Sequence, residues 1–254
     1  MPQNHAHRRI SGRSGSSSAH YHVSLLFIGE WRESNKNAQD HKSQKPRAPF
    51  TAAENSTSFA HMKNSKTETD LRPFLYLRHG ETAWNKEGRM QGATDIPLNE
   101  TGRAQAHRAA ASLADVHIDR IISSPMARAA ETADIVAAAK GLTPTRDERL
   151  KERYFGAFDG LLLSEIRDRH GLGDGASIWS IDSPEAEPFD VALNRTLDAL
   201  RDGLADSDDV VLFVAHGALF TLLTEHLFGE RLTSSNAAPY RLLHVDGAWA
   251  AHLI

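Results

Sequence analysis

Two apolar runs that each stop at a His-Gly pair set the tightest limits on this chain of 254 residues. Val210 to Ala215 is six consecutive apolar residues, rich in valine, followed at once by His216-Gly217. Phe74-Leu75-Tyr76-Leu77 is the shorter counterpart, followed by Arg78-His79-Gly80. Runs without polar alternation read as strands covered on both faces, which is the signature of a parallel sheet in an α/β domain. Ligands of such sheets bind beyond the carboxyl ends of the strands, where backbone N–H groups are free. Two histidines with an arginine delivered to that edge form a place to bind an anion and attack it. The pattern points to phosphoryl transfer to and from a histidine.

The sequence around these runs alternates strand and helix signals. It predicts an alanine-rich helix opened by Asn99 or Thr101 and running to Leu113, then a strand over Ile118–Ile122. Ser124-Pro125 starts a helix from Met126 to about Ala139, closed by Gly141. Pro144–Leu150 reads as a short edge strand, and Leu161–Arg169 as a helix ended by Gly171. Residues 171–187 read as an irregular insertion. A helix over Phe189–Leu204, the Val210–Ala215 strand and a helix over Ala218–Phe228 follow. Two closing strands, Tyr240–Val245 and Trp249–Leu253, are joined by the hairpin signal Asp246-Gly247.

Residues 1–72 have another texture. Ser, Asn, His, Lys and Gln dominate, and apolar residues are too sparse to offset ordering entropy. This stretch is expected to be a disordered N-terminal extension, or upstream sequence with the start at Met62, preceding a domain over 73–254. Arg8, Arg9 and Arg13 precede the first acid, Glu30, a weak transit-peptide likeness; the short apolar Val23–Ile28 run does not make a signal peptide. His5, His7, His20 and His22 suit a solvated tail better than a metal site.

Charge and composition remove several function classes. Residues 1–70 carry ten Lys/Arg and six Asp/Glu, whereas the remainder carries 19 and 27. A net-negative domain argues against nucleic acid as a partner, because phosphate-backbone binding needs a basic field. The absence of cysteine excludes disulfides, thiol catalysis and cysteine-ligated metals. No apolar run approaches the ~20 residues needed to span a bilayer. The expected setting is cytoplasmic, with a small phosphorylated metabolite as partner, no membrane, no cofactor, and a homodimer as a compatible assembly.

Individual residues carry the chemistry. His79 as neutral imidazole is a competent nucleophile near pH 7 when a neighbour fixes its tautomer. Arg78 offers a planar fork for phosphate oxygens. Arg128 falls on the first turn of a helix, where the dipole is positive; paired with Glu131 or Asp134 it is simply a surface arginine. His216, ending the strongest strand, suits a cationic donor beside His79, or else a satisfied core histidine. A carboxylic acid is needed to protonate the leaving oxygen, and by spacing alone Glu148 and Glu152 are equal candidates.

Several separated motifs in one order carry a resemblance: LRHGETAWN at 77–85, RMQG at 89–92, Asp95 with Pro97-Leu98 and Gly102, SSPMARAAET at 123–132, LKERYFGAFDG at 150–160 and AHG at 215–217. From Phe74 to Ile254 the chain resembles the phosphoglycerate mutase-like branch of the histidine phosphatase superfamily. That likeness implies a three-layer α/β/α sandwich around a mostly parallel sheet. It makes His79 the nucleophile that becomes a phosphohistidine. Arg78, Arg128 and His216 become the rest of the phosphate pocket, and Glu152, over Glu148, the proton donor. Asn85 is implied to contact the transferred phosphate, with Gln91-Gly92 in the loop beside it. No metal is implied, since the arginines and His216 supply the positive charge.

Mutase and phosphatase share the first half-reaction and differ in what accepts the phosphoryl group. In cofactor-dependent mutases the segment after the proton donor resembles GLNKAE; here Leu163 stands at the lysine position, and residues 171–187 contain no Lys or Arg. Gln91-Gly92 also resembles the phosphatase subset. The expectation is a metal-independent phosphatase acting on small phosphomonoesters. A phosphoglycerate mutase is the alternative, followed by a non-catalytic phospho-ligand module and a metallohydrolase using His79, His216 and Glu152. Arg153 and Arg195 are the remaining candidate cations. Phe155, Phe158, Ile178, Trp179, Leu219 and Tyr240 are candidates for an apolar wall.

Overall fold

Every residue of Phe74–Leu77 and of Val211–Ala215 is buried, as expected of strands with helices on both sides. The computed structural model describes residues 71–254 apart from 174–177, 182 and 206–207. Six strands form one sheet: β1 (Phe74–Arg78), β2 (Arg120–Ser123), β3 (Thr145–Arg146), β4 (Val211–Ala215), β5 (Pro239–Val245) and β6 (Ala248–Leu253), in the order β3-β2-β4-β1-β5-β6. β1, β2, β3 and β4 run parallel; β5 is antiparallel to β1, and β6 to β5.

Alternation along the central strands divides the core into two layers. Phe74 and Tyr76 with Phe213 and Ala215 face one side, against Leu197 and Leu200 of α5 (Phe189–Leu204) and Leu219, Phe220 and Leu223 of α6 (Gly217–Phe228). Leu75 and Leu77 with Leu212 and Val214 face the other, against Ala109 and Ala110 of α2 (Glu100–Ser112) and Ala133, Val136 and Ala137 of α3 (Ala127–Lys140). Each large apolar side chain so buried contributes about 1.5–3 kcal/mol relative to exposure. The result is a three-layer α/β/α sandwich. Among the described residues no helix is long and apolar enough to cross a membrane.

This layering creates the site. The chain leaving β1 crosses to the α2/α3 face, and the chain leaving β4 crosses to the α5/α6 face. β1 and β4 are neighbours with Arg78 opposite Ala215, so a crevice opens beyond their carboxyl ends. The loop after β1 reaches α2 through two interlocked glycines. A Cβ on Gly80 falls 2.4 Å from the carbonyl oxygen of Gly102, and one on Gly102 falls 2.1 Å from that of Glu81. Gly102→Ala is therefore expected to cost about 3 kcal/mol, read as a lowered urea midpoint; an unchanged midpoint would show that the backbone yields freely.

Several expected elements differ in extent. The edge strand of 144–150 shrinks to Thr145–Arg146, because Asp147 caps a 3-10 turn over Glu148–Leu150 through the Arg149 N–H (2.9 Å). The helix expected from Leu161 starts at Leu163 as α4 (Leu163–Arg169). Leu161 and Leu162 instead pair with Arg89-Met90, through the Met90 N–H to Leu161 O (2.8 Å) and an Arg89–Leu162 bridge. A short helix α1 (Ala83–Glu87), opened by a Thr82–Asn85 capping box, was not anticipated. The Asp246-Gly247 hairpin has positive φ at both residues, 52° and 82°. The expected extension over 1–72 lies outside the described residues save its end. Leu71 is buried in the core and the Arg72 guanidinium donates to Leu204 O (2.8 Å), so these two residues belong to the packed domain and not to the expected extension.

Candidate active site

The parallel register of β1 and β4 sets His79 beside His216, with ring centroids 5.2 Å apart. The His79 N–H donates to Ala215 O (3.0 Å), and the Tyr76 hydroxyl bonds His216 O (2.8 Å). His79 Nδ1 lies 2.7 Å from Gly80 O. A carbonyl can only accept, so Nδ1 holds the proton and Nε2 keeps its lone pair. Burial, with the charges of Arg78 and Arg128 adding to it, holds the His79 pKa well below the ordinary histidine value. The ring is neutral at pH 7, as a nucleophile requires. His216 is held neutral for the same first reason, burial, reinforced by Arg128 and Arg78, so it is not the cationic donor expected from the sequence and the arginines carry the positive charge of the site. Its Nε2 lies 2.8 Å from the Ser124 hydroxyl, and its Nδ1 is buried without a partner among the described residues.

Arg78 is anchored by one Nη to Ser234 O (2.7 Å), while its buried Nε has no partner among the described residues. Its guanidinium packs on the start of α6: a Cβ on Gly217 would meet Arg78 Cζ at 3.2 Å. That contact explains the glycine of the second His-Gly pair.

Arg128 is fully buried. Its two Nη atoms donate to Thr94 O and Gly92 O, each at 3.0 Å. The Asp159 carboxylate takes the N–H groups of the same two residues, Gly92 (2.5 Å) and Thr94 (3.3 Å). The 92–94 loop is thus held between an anion and a cation. Gly92 is required there, since a Cβ would stand 2.8 Å from both Arg153 O and Asp159 Oδ1. With its amide oriented to satisfy both ends, Gln91 donates to the Thr82 hydroxyl (2.6 Å) and accepts from Arg128 Nη1 (3.1 Å) and Nε (3.2 Å).

Glu152 is buried, with Oε1 accepting from the Arg153 N–H (2.9 Å) and Oε2 from the Ala218 N–H (3.1 Å) at the start of α6. Burial raises its pKa against the pull of these N–H groups, Arg128 and Arg78. A carboxyl whose affinity for a proton is raised by burial and a histidine held neutral by burial are shifted in the directions that a general acid and a nucleophile need.

A cleft of about 450 Å³ joins them, lined by Arg78, His79, Asn85, Gln91 and Glu152 among others. Gly92, Arg128 and His216 are not among the residues that line it. Residues 74–251 match the profile of the histidine phosphatase superfamily (branch 1). The chain belongs to that family. It is 35% identical over 191 residues to phosphoglycerate mutase-like protein 4 of Arabidopsis thaliana, covering 70% of this chain and 83% of the relative. It is equally similar to the probable phosphoglycerate mutase GpmB of Yersinia pestis, with 87% of that protein covered. Among solved structures, mycobacterial glucosyl-3-phosphoglycerate phosphatase complexed with VO3 aligns with TM-score 0.63 at 28% identity, over 72% of this chain and 98% of that one. Phosphoglycerate mutase from Bacillus anthracis aligns with TM-score 0.62 at 28% identity, over 74% and 95%.

In this histidine phosphatase superfamily member the apolar wall is in part as expected. Phe155, Phe158, Ile178 and Trp179 line the cleft, joined by Met90, Leu163, Ile181 and Phe189. Leu219 and Tyr240 do not; Leu219 lies in the core and Tyr240 packs on it, its ring 4.8 Å from that of Phe220. Arg153 lines the cleft, with its guanidinium 4.0 Å above the Phe189 ring. Arg195 does not line it, because its donors are taken by Glu187 and two carbonyls. Sequence reasoning missed the loop before β5. Asn236 donates to His79 O (3.0 Å) and Asn85 Oδ1 (3.3 Å), and the buried Ser234 hydroxyl is unpaired among the described residues. Its signal was a polar Thr-Ser-Ser-Asn run feeding the strand beside β1.

Proposed function

We propose that this chain is a metal-independent, cytoplasmic phosphatase that hydrolyses small phosphomonoesters through a phosphohistidine on His79. His79 Nε2 attacks phosphorus while the ester P–O bond breaks and the Glu152 proton passes to the leaving oxygen. Arg78 Nε, on the cleft wall and without a partner among the described residues, holds a phosphoryl oxygen; His216 Nδ1, likewise unpartnered there, is the further donor beside the His79 ring, with Arg128 adding charge. Asn85 and Gln91 line the same pocket, with Gly92 next in the chain outside its lining. Water then attacks the phosphohistidine, its proton goes to the Glu152 carboxylate, and the P–N bond breaks to restore neutral His79. Glu152 ends protonated, so the cycle closes. The reading as metal-independent rests on Arg78 and Arg128, whose charges oppose a divalent cation between the histidines.

The observation that favours hydrolysis over isomerisation is the cleft beyond this pair. It is walled by aromatic and aliphatic side chains, and Leu163 stands where the family resemblance puts the mutases' substrate lysine. The other cations on its wall are engaged: Arg89 with Glu87 (2.6 Å) and Gly160 O (3.0 Å), and Arg153 with Glu187 O (2.7 Å). A second anionic group on the substrate finds poor compensation there, and the leaving group is accordingly uncharged and apolar. The mutase reading draws on the relatives named for that activity. In excess chelator, kcat/KM for an aryl or alkyl monoester is expected to exceed that for 3-phosphoglycerate by at least ~10-fold, about 1.4 kcal/mol. Efficient conversion of 3-phosphoglycerate in a coupled mutase assay with bisphosphorylated primer would reverse the assignment, and loss of activity in chelator would end the metal-free reading.

A further inference from the structure

Arg195, on α5, has four side-chain hydrogen bonds, two to Glu187 and two to the chain just before Glu152. Its Nε and Nη2 donate to Glu187 Oε1 (2.7 Å) and Oε2 (2.8 Å), a bidentate ion pair with both side chains mostly buried. Its Nη1 donates to the carbonyls of Arg149 and Lys151, each at 2.6 Å. Lys151 immediately precedes Glu152. On the far side of Glu152 the same partner recurs: Arg153 Nε donates to Glu187 O (2.7 Å), and the Glu187 N–H donates to Tyr154 O (3.0 Å). The backbone on both sides of Glu152 is therefore tied to a single Arg–Glu pair.

The Glu152 carboxylate is itself held by two N–H groups, one from its own neighbour Arg153 and one from Ala218. Where residues 151–154 run decides whether both bonds form at once. Glu152 lies on a connection between two 3-10 turns and not on a strand, so its place depends on such side-chain ties and not on a sheet ladder. His79 and His216, by contrast, hang from adjacent paired strands. We infer that Arg195, locked by Glu187, is the positioning residue for the general acid Glu152. It serves leaving-group protonation and leaves phosphate capture and attack by His79 to other groups. This assignment rests on the phosphatase reading above. Lysine does not substitute: a point charge on a flexible stem cannot make the bidentate pair and both carbonyl bonds together.

The test separates the two half-jobs by leaving group. A nitrophenyl ester departs with little protonation, whereas an alkyl ester needs the acid. Arg195→Gln and Arg195→Lys are compared with the wild type on both esters, with thermal melts to establish folding. On the alkyl ester kcat/KM, which reports the steps up to departure of the alcohol and not the later hydrolysis of the phosphohistidine that both esters share, is expected to fall on the order of 100-fold, the scale of a misplaced catalytic group. On the nitrophenyl ester the fall should be only several-fold, with the inhibition constant of inorganic phosphate unchanged. Equal losses on both esters, or no loss on the alkyl ester, would overturn the assignment. A wild type that hydrolyses neither ester refutes the phosphatase reading instead. The clamp is then judged by isotope-edited infrared titration of the Glu152 carboxyl: Arg195→Gln should return its pKa toward the ordinary carboxyl value, and an unmoved titration would sink the clamp as well. A variant that fails to fold is replaced by Glu187→Gln, which removes the same lock under the same criteria.

Discussion

Replacing His79 with alanine is expected to lower kcat on a nitrophenyl ester on the order of 10⁴-fold or more, at least ~5.5 kcal/mol of barrier. It should also abolish acid-labile labelling of the protein by phosphorylated substrate. The size of the effect follows from the geometry. Nδ1 is pinned to Gly80 O, so Nε2 is the one ring atom with a lone pair, and burial keeps the ring unprotonated. The neighbouring His216 does not substitute, since its Nε2 is engaged with Ser124. Residual activity within ~10-fold of the wild type, a barrier change of only ~1.4 kcal/mol, would remove His79 from the role of nucleophile.

The second large effect belongs to Glu152. Glu152→Gln is expected to lower kcat on alkyl esters by about 10²–10⁴-fold, the usual range for a general acid, and to flatten the alkaline limb of the pH profile. Burial raises the Glu152 pKa, so the wild type should lose alkyl-ester turnover as pH rises through that raised value. Stability should follow the same group. Between the ordinary carboxyl pKa, ~4.3, and the raised one, the native state holds a proton that the unfolded state has released. The contribution of Glu152 to stability is thus fully present below ~4.3 and is lost as pH rises through the native value. The difference in urea stability between wild type and Glu152→Gln should decline over that window. A difference independent of pH would mean that the carboxyl titrates normally.

The fold was readable because its central strands are apolar without interruption. Val210–Ala215 and Phe74–Leu77 admit no other placement, and the helix over Phe189–Leu204 matched to the residue. Shorter elements differed where another bond took their backbone: the Asp147 side chain ended a strand by capping the next turn, and Leu161-Leu162 pair through their backbone with Arg89-Met90. His79, Arg78, Asn85, Gln91 and Glu152 come together along one cleft, and each was legible from its motif. The roles of Ser234 and Asn236 were not, because they depend on β5 lying beside β1, a long-range pairing that no local pattern encodes. Arg195 was misjudged for a related reason. A cation near an anion-binding motif looks available in sequence, and only the fold shows its donors already spent on Glu187 and on the carbonyls flanking Glu152.

The ladder between β1 and β4 has a bearing on how the protein fails. His79 and His216 are stitched to the two buried strands β1 and β4, so separating them requires opening the centre of the sheet, expected to be the last region to exchange its amide hydrogens. The acid sits on an irregular connection that can loosen alone. Under mild denaturant the chain should first become a selective phosphoryl acceptor, still taking the group from esters that depart unaided while sparing those that need a proton. All phosphoryl chemistry should cease only when the sheet itself melts.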